Sequence, residues 1–152
     1  MMEIKFDTKK LEQLIKALNE SAKVHVKIGV LGEGEKRDDG MSNAEIGRIH
    51  EFGIGQHQRS FLRVPLMDHL NEELKQAGAF SDESVKQILR EGSFKPFFGR
   101  VAVLGERIVQ DAFDTSGNGK WPESNMANKV TKQTLVESRQ LRRSITSKVE
   151  AE

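Results

Sequence analysis

Cysteine is absent from this chain of 152 residues, which excludes a disulfide framework and a thiolate metal site and fits a reducing compartment. Also missing is any run near the roughly 18 to 20 apolar residues that span a bilayer. Met1 to Asn19 is amphipathic and charged, without the apolar stretch of a signal peptide, so neither export nor a membrane partner is expected. There is no excess of one charge: 24 Lys plus Arg against 23 Asp plus Glu leave +1. No global field draws such a chain to nucleic acid or an anionic membrane, so binding of that kind has to be local. Core formers are scarce, 36% apolar against 31% charged residues, a balance that favours a surface shared with neighbours. Catalytic signatures are lacking too. No serine lies in a nucleophile elbow, no phosphate-binding loop follows a strand, and no carboxylate pair has catalytic spacing. An enzyme, a metal and a cofactor are therefore not expected.

What is present reads as one α+β domain spanning 1–152, with a small antiparallel or mixed sheet and helices packed on one face. Leu11, Leu14, Ile15 and Leu18 recur at the spacing of one helix face, and Asp7 is placed to cap that helix with Phe6 and Leu11 as a hydrophobic staple. Val24, Val26, Ile28 and Val30 alternate as a strand, and Ile145, Ser147 and Val149 repeat the pattern. Both need partners for their backbone groups, so Val24 to Leu31 is expected to pair with Ser144 to Glu150. Ser42 and Glu45 match a capping box opening a short helix from Asn43 to about Glu51, ended near Gly53. Further helices are expected from about Pro65 to Ala77, after Ser81, and after Ser93, where Phe97, Val101, Leu104, Ile108 and Ala112 form the buried stripe. Two polar, glycine-rich stretches, near 32–41 and 114–121, read as mobile loops that order on neighbouring chains.

A few residues carry chemistry. His50, Glu51 and His57 raise a small hydrolase or metal site, but adjacent helical residues point about 100° apart and His57 lies beyond two glycines. Arg139, Arg142 and Arg143, with Lys148, form a basic cluster for phosphates, for a neighbour's carboxylates, or simply for water. Phe52, Phe61 and Trp121 stand beside polar loops, where interface anchors lie, or else in the core.

The run Ala44-Glu45-Ile46-Gly47-Arg48-Ile49-His50-Glu51-Phe52-Gly53, followed by Arg59-Ser60-Phe61-Leu62-Arg63, resembles the virion-morphogenesis or tail-completion proteins of tailed bacteriophages. Glu51, Phe52, Gly53, Arg59, Phe61, Leu62 and Arg63 match that family's signature one by one, and Trp121-Pro122 with Leu135 to Ile145 resembles its C-terminal pattern. Gln58 and Ser60 stand where the family often has proline, which implies a less rigid loop. Ser138 and Arg139 replace a threonine-glycine pair, and because arginine tolerates positive φ poorly a different turn is expected there.

The resemblance implies a structural subunit of the head–tail neck, a tail-completion or terminator-like protein that assembles in a ring with itself and binds other phage neck and tail proteins. Its place would be the virion, and the host cytoplasm during assembly, with transient proximity to DNA. Partner contacts are expected at Glu51, Phe52, Arg59, Phe61, Arg63, Trp121, Arg139, Arg142 and Arg143. In that picture Gly53 turns Phe52 into the core and leaves Glu51 at the surface, while Arg59 and Arg63 flank Phe61 and reach a neighbour. The alternative is a nucleic-acid-associated module using the basic Arg139 to Lys148 region.

Overall fold

The computed structural model describes residues 8–32, 40–123 and 139–152. Eight elements follow in chain order: α1 (Thr8–Ser21), β1 (Val24–Val30), α2 (Asn43–Phe52), α3 (Arg63–Gln76), α4 (Asp82–Glu91), α5 (Lys95–Asp114), α6 (Gln140–Arg143) and β2 (Ile145–Ala151). The two strands form an antiparallel pair running from Val24↔Ala151 to Val30↔Ile145. With the helices packed against them, this is a small α+β fold of the class expected from the sequence.

The side-chain period of two divides the strand pair into unlike faces. Ile28, Val30 and Ile145 turn to the helices and join a core of Phe61, Val109, Phe113 and Leu141. Ser147, on the same face, donates to Glu106 Oε2 of α5 at 2.8 Å, so the one polar position there is satisfied. On the other face His25, Lys27, Thr146 and Lys148 are exposed.

α5 is the spine, because it touches both strands and lies along α3. The two helices run antiparallel. Phe61, just before α3, meets Phe113 near the end of α5 with ring centroids 5.1 Å apart, while Phe80, after α3, meets Phe97 at its start, 5.9 Å away. Ser93 assists the helix start by accepting from Lys95 N at 3.2 Å, and Pro96 follows in the first turn. The buried face is Ala102, Gly105, Ile108, Val109, Ala112 and Phe113. Of the expected stripe only Ile108 and Ala112 are fully inside. Small Ala102 and Gly105 take the inner positions because Ile28 crosses the helix there, its Cδ1 directly over Gly105.

α1 departs further from expectation. Ala17 is its buried residue and Leu14 is half-buried, while Leu11, Ile15 and Leu18 stay about half exposed. The helix touches α4, and its inner Leu14–Ala17 side lies one step round from its most apolar stripe. The Asp7 cap, the Phe6 staple, residues 33–39 of the first loop and the stretch from Ser124 to Ser138 lie outside the described residues.

The second loop makes contacts within the chain. Thr115 Oγ1 accepts from Asn118 N at 3.1 Å, Lys120 pairs with Asp68 at 3.0 Å, and Trp121 packs edge-on against Phe113 with centroids 5.8 Å apart. These contacts were not legible in the sequence because their anchors, Asp68 and Phe113, are on other elements.

Candidate functional site

The signature residues converge at the corner between α2 and α3. α2 starts with both halves of its capping box made: Ser42 Oγ accepts from Glu45 N at 3.1 Å and Glu45 Oε2 accepts from Ser42 N at 2.8 Å. It stops at Gly53, whose φ of 68° is left-handed. A Cβ there would lie 3.0 Å from the backbone of Gln58, so both conformation and space call for glycine. The chain then folds back along α2. Ile54 N donates to Ile49 O at 3.0 Å, Arg59 N to His50 O at 2.8 Å, and Gln58 Nε2 to Glu51 O at 2.9 Å.

This return places segment 60–63 across the side chain of Glu51. Glu51 Oε1 accepts from Ser60 Oγ at 2.7 Å and Arg63 N at 3.2 Å, and Oε2 from Phe61 N at 2.9 Å and Leu62 N at 3.0 Å. Ser60 Oγ in turn accepts from Val64 N at 3.1 Å. Leu62, the N-cap residue of α3, offers no side-chain acceptor, so a carboxylate from another helix satisfies the free amides at the positive end of α3.

The expected orientation of two neighbours is therefore reversed. Glu51 is 6% exposed and Phe52 60% exposed. The cause lies one turn earlier. Asn43, Gly47 and Glu51 follow at intervals of four on one face of α2, and that face is buried. Gly47 lets the helix approach so closely that a Cβ would stand 3.3 Å from Phe61 Cζ and 3.4 Å from Leu141 Cδ1. With Glu51 on the inner stripe, Phe52 is turned about 100° away from it.

Phe61 is fully buried between α2 and α5, so it serves the core instead of presenting an exposed anchor to a neighbour. Trp121 is half-buried and its indole N–H donates to Ser60 O at 3.3 Å, joining the second loop to the same corner. Arg63 is exposed. Arg59 is 7% exposed, and its buried Nε has no hydrogen-bond partner. Burial pushes the guanidinium's pKa down from its usual value, though arginine keeps its charge at neutral pH all the same. Ile54, unnoticed in the sequence, is 51% exposed just after the turn at Gly53. Its position after Gly53, outside any periodic segment, was the available signal.

Arg142 and Arg143 lie in α6 and Arg139 is its N-cap residue; the helix packs on α2. Arg142 is bound to Asp114 of α5 at 2.6 Å, and Lys148 to Glu150 at 2.7 Å, so half of the basic cluster already has acidic partners. Arg139 adopts φ 48° after all, and its carbonyl accepts from Arg143 N at 3.0 Å. An exposed N-cap position with that bond tolerates the strain that argued against the turn. The hydrolase constellation does not form. The Glu51 carboxylate is engaged by four donors, and among the described residues no group of three or more His, Cys, Asp or Glu is placed to hold a metal ion.

Comparison with family models, with curated proteins and with solved structures finds no match to this chain. The phage resemblance thus rests on the residues themselves.

Proposed function

We propose that this chain is a structural subunit of a tailed-phage head–tail junction, a tail-completion or terminator-like protein that assembles in a ring with its own copies and with neighbouring virion proteins. The observation that supports this reading most is the number of large apolar side chains left exposed on different elements. Leu11, Ile15 and Leu18 of α1, Phe52 and Ile54 at the α2–α3 corner, Met67 of α3, Val85 and Leu89 of α4 and Val103 of α5 are all exposed. α4 is tied to α5 at Arg100 through Ser84, whereas the corner leans on Phe113, roughly 20 Å further along that helix. A subunit in a closed ring needs two unlike patches on different sides, each matching the other kind on the next copy.

The basic α6 region supports a nucleic-acid role less well, because Arg142 and Lys148 each already have an acidic partner. Among the described residues no helix is long and apolar enough to cross a membrane.

Particle mass by light scattering, for the chain alone and mixed with candidate neck proteins, tests the proposal. A closed species of defined copy number is expected, alone or in the mixture. A chain that stays monomeric at every concentration and joins no neck protein would overturn it.

A further inference from the structure

The strand pair ends on both sides with hydrogen-bonding groups unused. Glu152 N donates to Lys23 O at 2.9 Å just past the strand ends, which fixes the phase of the ladder. Bonded and non-bonded pairs alternate in an antiparallel sheet, so His25 with Glu150 and Lys27 with Lys148 exchange bonds inside it. Val24, Val26 and Ile28 of β1, and Ser147, Val149 and Ala151 of β2, therefore send their amides and carbonyls away from the other strand. Among the described residues no group bonds to these outward amides and carbonyls.

Such edges are usually blunted by proline, a bulge, a very short strand or lysine side chains, which keep one chain's edge from joining another's. Each strand here runs seven residues without proline, and the pairing is unbroken from end to end. Lysine is present but neutralised, since Lys27 and Lys148 both pair with Glu150. Only Gly29, buried with Leu62 close to it, restricts the far end of β1. Val149 is a second sign. It lies on the inner face with Ile145 and Ser147 yet is 39% exposed, so the helices leave that part of β2 uncovered.

We infer that the free edge of β2 pairs antiparallel with the free edge of β1 in a second copy of this chain, continuing the sheet from subunit to subunit. This rests on the assembly reading above and names one of its contacts. The attraction is main-chain hydrogen bonding, as when a strand is added to any sheet edge. Charges on the outer face already pair within the chain, so their part is to decide which edges meet. β1 carries His25 and Lys27 there, and the end of β2 carries Glu150 and Glu152. Setting Lys27 opposite Glu150 of the next copy also sets His25 opposite Glu152 and brings the outward groups of Ile28 to those of Val149. Like edges match less well: β1 against β1 brings the two cations beside themselves, and β2 against β2 closes at a dimer. Unlike edges leave one edge open at each end, the head-to-tail contact that a ring requires.

Proline at an outward position removes an edge donor and spares the chain's own ladder, so Val26→Pro blocks one edge and Val149→Pro the other. Light scattering on the full chain over a range of concentrations reads the outcome. The parent is expected to form a species of several copies, and each variant alone to stay monomeric with the parent's circular dichroism. Mixed in equal amounts, the two variants are expected to form a heterodimer and nothing larger, because one working edge of each kind remains. Val26→Pro dimerising alone would overturn the proposal in favour of β2 against β2, and Val149→Pro dimerising alone in favour of β1 against β1. A parent that is monomeric at every concentration, or variants that assemble as the parent does, would overturn it too. If either proline unfolds the chain, His25→Glu and Glu152→Lys at exposed positions replace the pair. Each alone should then weaken assembly several-fold and the two in one chain restore it, whereas unchanged assembly in both single variants sinks the proposal. The two readings fail separately. Variants that form the heterodimer while the parent grows into open filaments lose the ring and keep the seam; a parent ring that neither proline disturbs does the reverse.

Discussion

The outer face of the sheet and the corner between α2 and α3 are both rich in charge, and they dispose of it in opposite ways. On the sheet, Glu150 lies between Lys148 at 2.7 Å and Lys27 at 2.5 Å, all three in water. Hydrogen bonds from Lys148 and then Lys27 hold its carboxyl at about 2 instead of the ordinary 4.5. At the corner the acid is inside and spent on a helix end, and the buried Nε of Arg59 nearby in the chain has no hydrogen-bond partner. Charges that answer one another across a strand pair leave little for a visitor. A carboxylate withdrawn to cap a helix does its work inside the fold.

The comparison breaks most visibly at Glu51. Glu51→Ala strands a hydroxyl and three amides in a buried place, and urea unfolding should show a loss of about 3 to 5 kcal/mol. A loss under about 1 kcal/mol would mean that water replaces the carboxylate and the corner is not built on it. Next comes Gly47→Val, which forces a branched side chain against Phe61 and Leu141; overpacking of this kind costs about 1 to 3 kcal/mol. Phe52→Ser should then shift stability by no more than about 0.5 kcal/mol, as for an ordinary surface change, while lowering assembled mass. If Phe52→Ser unfolded the chain instead, its ring would belong to the core and the corner would lose its apolar half.

The smallest effect belongs to the sheet. Glu150 has its pKa depressed on folding, so its contribution is present above the unfolded value near 4.5 and is lost as pH falls toward about 2. Thermal midpoints of the parent and Glu150→Gln should therefore differ slightly at neutral pH and converge between pH 4.5 and 2. A gap that persisted at pH 2 would show that the exposed pair is not its source.

Features governed by neighbours in the chain were legible beforehand. Ser42 and Glu45 sit three apart and make their box from local geometry, and the alternation of Val24 to Val30 and of Ile145 to Val149 marks two strands that do pair. What depended on distant segments was not. The partners of Glu51 lie nine to twelve residues later, and which of Glu51 or Phe52 faces inward depends on the space at Gly47, filled by Phe61 and Leu141. Similarly, the apolar stripe of α1 says that Leu11, Ile15 and Leu18 seek cover, without saying whether the same chain provides it. The signal for the inner face of α2 was the four-residue spacing of Asn43, Gly47 and Glu51, which looks polar unless a helix may bury a carboxylate as a cap.

The strand pairing has a kinetic consequence. Val24 finds its partner in Ala151, so the sheet closes through one of the longest loops the chain allows, and contacts of that reach form late and slowly. The antiparallel contact of α3 with α5 is far more local and can form first. During that interval β1 offers an unpaired edge, and the β2 segment of a second copy fits it in the same register as the chain's own. Concentration then decides between self-closure and exchange. Refolding from denaturant at high protein concentration should accordingly yield strand-swapped dimers that are absent when the same chain refolds dilute.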